Sequence, residues 1–138
     1  AQFKNICSMA LWCPMFSGKQ WQDHWQLLLT RAVDLKQAGE MMRINGQQGS
    51  PEFFERFMKI DVEKPLKTLG SVPLLHIHGE EDTKVTLQHA HDYERVRKEA
   101  SAATRFLRLP GTDHDFSHYD EKLRSINETI HWFKETLK

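Results

Sequence analysis

Two hydrophobic patterns alternate along the chain. Short, nearly continuous apolar runs stretch from Phe3 to Cys13 and from Val72 to His78, and a more polar one from Thr104 to Leu109. Runs of this length with little alternation belong to parallel strands covered on both faces. Arg105 and Arg108 predict that the third strand lies nearer the sheet edge. Between and after the runs, apolar positions recur at helical spacing. Trp21, Trp25, Leu28, Leu29, Ala32 and Leu35 form one such stretch, with Met41, Met42 and Ile44 following a break at Gly39. Ser50-Pro51-Glu52 is a helix start, with Ser50 as N-cap and Phe53, Phe54 and Phe57 on the buried side. A short helix follows from Val62 to Leu69, then one from Leu87 to Ala100 with Glu94 and Lys98 as an i,i+4 pair. The clearest helical signal runs from Asp120 to Leu137, where Leu123, Ile126, Ile130, Phe133 and Leu137 share one stripe. Ser117 or Asp120 is its expected cap.

The order strand, helical insert, strand, helix, strand, helix predicts an α/β fold with a three-stranded parallel sheet and flanking helices. The 138 residues make one domain, with residues 17–70 as a helical, cap-like insert. Nineteen basic residues balance nineteen acidic ones, so no net field favours nucleic acid or anionic lipid. No apolar run approaches the roughly 20 residues of a membrane span. Cys7 and Cys13 both fall in the first expected strand, too far apart for a disulfide, and read as buried free thiols of a reducing, cytoplasmic compartment.

Candidate chemistry sits at the ends of the second and third strands, where ligands of open α/β sheets bind. After Leu74-Leu75-His76-Ile77 come His78-Gly79 and the carboxylates Glu80, Glu81 and Asp82. After Phe106-Leu107-Arg108-Leu109 come Pro110-Gly111-Thr112-Asp113 and His114. A carboxylate beside an imidazole fixes its tautomer and leaves the other ring nitrogen free to act as a base. Acid then histidine is also the second half of the order nucleophile, acid, histidine. Asp113 and Asp115 read as loop formers, His76 as a satisfied core histidine, and His89, His91, His118 and His131 as solvated. No histidine group completes a recognised metal-ligand spacing, so neither metal nor other cofactor is expected.

HGEEDTKV followed by LPGTDHDF resembles the C-terminal part of an α/β-hydrolase, of the small esterase and acylpeptidase-like branches. The resemblance spans essentially the whole chain. It implies that the three strands correspond to the sixth, seventh and eighth of that fold, and that the insert occupies the place of its cap. It further implies Asp82 as the triad acid and His114 as the triad base. The family's nucleophile motif G-x-S-x-G is absent; Phe16-Ser17-Gly18 lacks a flanking glycine and Gly49-Ser50-Pro51 is a helix cap. The expectation is therefore the C-terminal portion of a serine hydrolase, a carboxylesterase acting on a small-molecule ester, whose serine precedes Ala1. By itself the chain is expected to be inactive. Trp21, Trp25, Met41 and Met42 are expected to line an apolar acyl or aryl pocket. A peptidase of short peptides is the alternative within the class, and a non-catalytic, truncated or degenerate binding domain the alternative outside it. The edge of the strand from Phe3 to Cys13 is expected to mediate self-association.

Overall fold

The computed structural model describes residues 5–43, 46 and 48–137. Packing divides the chain into two units, Ala1–Phe16 with Val62–Lys138, and Ser17–Asp61.

The first unit is built on a three-stranded sheet in the order β1 (Met9–Trp12), β2 (Leu74–Gly79), β3 (Thr104–Leu109). Both pairings are parallel, with Met9 opposite Leu74 and Leu74 opposite Thr104. The expected three-stranded parallel α/β architecture is the observed one, with β3 at an edge. All six residues of β2 are buried, because both faces of the central strand are covered. On one face Leu75 and Ile77 pack with Cys13, Leu109, Phe116 and Trp132 of helix α6 (Tyr119–Thr136). On the other, Leu74 packs with Phe16, Leu66, Tyr93 and Val96, which brings in α4 (Glu63–Thr68) and α5 (Leu87–Arg97). Each fully buried aliphatic side chain here contributes roughly 1.5–3 kcal/mol. Buried Arg97 ties the start of the sheet together: it donates to Leu69 O at 2.9 Å, Val72 O at 2.8 Å and Thr104 Oγ1 at 3.0 Å.

Several local expectations change. The first strand begins at Met9 rather than Phe3, and Phe3 lies outside the described residues. Cys7 is exposed ahead of it, and Cys13 follows it with φ at 42°, a left-handed value for a non-glycine residue. Glu94 pairs with Arg108 at 2.6 Å on β3 instead of with Lys98. The residue preceding α6 is His118, which offers no side-chain cap, while Ser117 donates to Asp113. The apolar stripe of α6 faces outward: Leu123, Ile126, Ile130 and Leu137 are all exposed, and the buried contact is made by Trp132 and Ser125.

The second unit is helical. A 3₁₀ turn at Gly18–Trp21 leads into α1 (Gln22–Arg31), followed by α2 (Leu35–Met41) and α3 (Pro51–Met58). The break falls at residues 32–34 and not at Gly39, because Ala32 is extended and Asp34 caps α2 through the Gln37 N–H. Gly39 lies inside α2, where a Cβ would sit 2.9 Å from the Pro51 ring. Ser50 caps α3 as expected, whereas Phe53 is exposed and Phe54 takes the core position. Ile44 lies outside the described residues. No helix among the described residues is long and apolar enough to cross a membrane.

Candidate active site

The end of β2 and the end of β3 each release a loop, and the two loops share main-chain bonds. Glu80 N–H donates to Leu109 O at 3.0 Å and Glu81 N–H to Thr112 O at 3.1 Å. The approach requires glycine at 79, where a Cβ would lie 2.2 Å from the Thr112 carbonyl oxygen. The second loop is anchored by Phe116, held at φ 51°, buried, and packed on Trp12 with ring centroids 5.1 Å apart.

Asp82 and His114 meet across this junction. Nδ1 of His114 is 2.8 Å from Oδ2 of Asp82, whose side chain is fully buried. The other carboxylate oxygen accepts the N–H groups of Lys84 at 2.9 Å and Val85 at 2.8 Å. A carboxylate held by two main-chain donors is fixed in direction, so Nδ1 of His114 must be the ring donor and Nε2 keeps the lone pair. The His114 side chain is 24% exposed, so that lone pair belongs to a ring a reactant can reach. Glu80 and Glu81, the neighbouring carboxylates, are exposed. Asp113 accepts from Ser117, and Asp115 pairs with Lys84 at 2.6 Å.

Two further side chains, Cys13 and His78, lie beside the acid. Cys13 Sγ lies 3.5 Å from the Gly79 N–H; burial pushes the thiol up to about 12, the Gly79 N–H opposes this, and the Asp82 carboxylate adds to it. His78 Nε2 is 2.8 Å from Val85 O and 3.6 Å from Asp82 Oδ2. Burial holds His78 below the usual imidazole range, against the Val85 carbonyl and the Asp82 charge. Ligand atoms of Cys13, His78 and Asp82 lie within 4.8 Å of one another, as the donors of a metal site would. All three are already committed to hydrogen bonds: Cys13 Sγ with the Gly79 N–H, His78 Nε2 with Val85 O, and Asp82 with His114 and the Lys84 and Val85 N–H groups.

Two histidine expectations are corrected. His76 is buried, but its Nε2 has no hydrogen-bond partner among the described residues, and burial pushes the ring down to about 3. His89 is buried rather than solvated, because its Nδ1 accepts the Phe16 N–H at 3.0 Å. Of the four side chains expected at an apolar pocket, Trp25 and Met42 are spent on the core of the helical unit. Trp21 is half-buried against Phe57, and Met41 is exposed.

The model of the prolyl oligopeptidase family matches residues 22–138. The chain belongs to the prolyl oligopeptidase family. The chain is 29% identical over 91 residues to the uncharacterized peptidase YuxL of Bacillus subtilis (strain 168), covering 62% of this chain and 14% of that protein. Among solved structures it resembles the esterase domain of a Rhodothermus marinus protein, with a TM-score of 0.68 at 19% identity over 99% of this chain and 55% of that one. Est1E of Butyrivibrio proteoclasticus, solved with ferulic acid, gives a TM-score of 0.64 at 15% identity over 95% of this chain and 50% of that one. These identities speak for the fold. The chain therefore spans at most about half the length of these relatives, and it is a hydrolase-family domain with the architecture expected of the C-terminal part of an α/β-hydrolase.

Proposed function

We propose that Asp82 and His114 are the acid and base of a serine acyl-transfer site, and that these residues form the C-terminal portion of a carboxylesterase. The 2.8 Å bond between His114 Nδ1 and Asp82 Oδ2 carries this reading. In the reaction, His114 Nε2 takes the proton of a serine hydroxyl as that oxygen attacks the ester carbonyl. His114 then returns the proton to the leaving alcohol. Water enters by the same base and releases the acid. Asp82 keeps the imidazole in the required tautomer and balances the imidazolium as it forms. The serine is supplied by polypeptide outside these residues, so the chain alone is inactive. Free Cys7 and Cys13 support a reducing, cytoplasmic setting.

A fluorophosphonate probe and a p-nitrophenyl ester test this on the 138-residue chain and on the longest product encoded around it. We expect no label on the chain alone, label on a serine outside it in the longer product, and a rate loss of about 10⁴-fold for Asp82→Asn. A labelled Ser17 or Ser50 overturns the assignment. Absence of any labelled serine favours a non-catalytic binding domain.

A peptidase of short peptides is the second reading, favoured by the family description and by the curated relative's name. Faster turnover of a peptidyl anilide than of the matched ester would decide for it.

A further inference from the structure

The loop carrying Asp82 is closed from two sides. From within, Asp82 Oδ1 accepts the Lys84 and Val85 N–H groups. From beneath, His78 Nε2 reaches Val85 O at 2.8 Å, joining the end of β2 to the far end of the loop. A carbonyl only accepts, so the imidazole proton sits on Nε2, and Nδ1 is the bare nitrogen. Nδ1 is buried and has no hydrogen-bond partner among the described residues. Its ring lies parallel to that of His76, with centroids 5.5 Å apart.

An imidazole is an expensive occupant for a fully buried strand position that an aliphatic side chain would fill at no polar cost. What it does here is hold Val85. We infer that His78 is a positioning residue for the acid: its Nε2–H pins the Val85 carbonyl and so fixes the main chain that aims Asp82 at His114. The role rests on the acyl-transfer reading and deepens it. Only the neutral ring serves, since a cation 3.6 Å from Oδ2 would compete with His114 for the same oxygen. Burial keeps the ring neutral.

Imidazole-¹⁵N NMR of this chain provides the test. A hydrogen-bonded His114 Nδ1 proton gives a low-field resonance whose exchange with water reports how firmly Asp82 holds it. In His78→Leu we expect that resonance to broaden away or exchange at least about tenfold faster, with the main-chain spectrum of the sheet retained. In His78→Gln, whose amide donates to the same carbonyl, we expect it to return. An unchanged resonance in folded His78→Leu overturns the inference, as does equal loss in both variants. Should His78→Leu fail to fold, the wild-type His78 nitrogen shifts decide: a proton on Nδ1 in place of Nε2 overturns it. Asp82→Asn separates this result from the reading beneath it. If that variant leaves the His114 resonance in place, the acid–base pair itself fails.

Discussion

Asp82 and His114 are paired by two loops that bond to each other before their side chains meet. The contact of Gly79 with the Thr112 carbonyl is as much a part of the site as the 2.8 Å bond between the two side chains. Gly79→Ala would force a Cβ to within 2.2 Å of main-chain oxygen that no rotamer change can relieve. We expect a loss of about 1–3 kcal/mol in urea unfolding, together with a weakened His114–Asp82 bond. Gly111 is the control, since it needs a positive φ of 69° but has nothing within 4 Å of a Cβ. Gly111→Ala should cost only about 1 kcal/mol and leave the bond intact. Equal behaviour of the two variants would refute the close-approach argument.

Asp82 has a structural duty besides its proposed chemical one. Asp82→Ala leaves the Lys84 and Val85 N–H groups without their acceptor, and the Val85 group is buried. The expected destabilisation is about 1–3 kcal/mol, with Asp82→Asn less costly because its amide oxygen still accepts. Denaturant midpoints of the two variants check this, and identical midpoints would mean that the loop does not depend on these bonds.

Much of this was legible in the sequence, and the misses share a cause. The strands, their parallel order, the Ser50 cap and the acid–histidine pair all follow from local signals: apolar runs, a capping serine, and chemistry at strand ends. Periodicity reports that a helix has an apolar face without saying what lies against it. The Leu123–Ile126–Ile130 stripe is therefore a correct helix signal with the wrong implied partner. His89 and Cys13 escaped because their roles depend on main chain far away in sequence, the Phe16 and Gly79 N–H groups. His78 stands in the sequence at the end of the second apolar run, but its bond to Val85 depends on how the following loop closes.

Three buried imidazoles should lower the stability of the fold in acid. The unfolded His76 ring titrates near 6.5 and the folded one near 3, first because of burial and then because of His78 and Arg108 nearby. Between these values the unfolded chain binds the extra proton, so stability is full above about 6.5 and falls as the pH drops toward 3. The slope from this residue reaches about 1.4 kcal/mol per pH unit. His78 and His89 are shifted in the same direction. Urea midpoints measured from pH 7 to 4 should fall steadily, and His76→Leu should flatten the curve, because it removes both the titrating ring and an unpartnered buried nitrogen. An unchanged slope in His76→Leu would assign the acid sensitivity elsewhere.

The two thiols should differ in reactivity. Cys7 is exposed, while Cys13 is 4% exposed with its thiol pushed up to about 12. Thiolate is the reacting species, so iodoacetamide at pH 8 should modify Cys7 alone in the native chain and both residues in urea. Mass mapping of the alkylated peptides reads the result directly. Prompt labelling of native Cys13 would show that the floor beneath Asp82 opens readily.

Strand β1 is apolar on both faces, yet among the described residues only β2 pairs with it. Met9, Ala10, Leu11 and Trp12 include no charge to protect the open edge. Helix α6 is bonded to the same strand by Trp12 Nε1 to Thr129 Oγ1 at 3.0 Å, and to the residue before the strand by Ser8 with Thr136 at 2.8 Å. Its outward stripe adds Ile126 at 42% and Ile130 at 45% exposure. An apolar edge and an apolar helix face tied together form a surface that water covers poorly. We expect the 138-residue chain to self-associate through it, giving a light-scattering mass above 16.2 kDa that rises with concentration. Ile126→Glu with Ile130→Glu should return it to a monomer without changing the far-UV spectrum, since neither side chain is part of the core. A monomer at every concentration would mean that the edge is protected, and assembly that survives the double variant would place the contact on β1 alone.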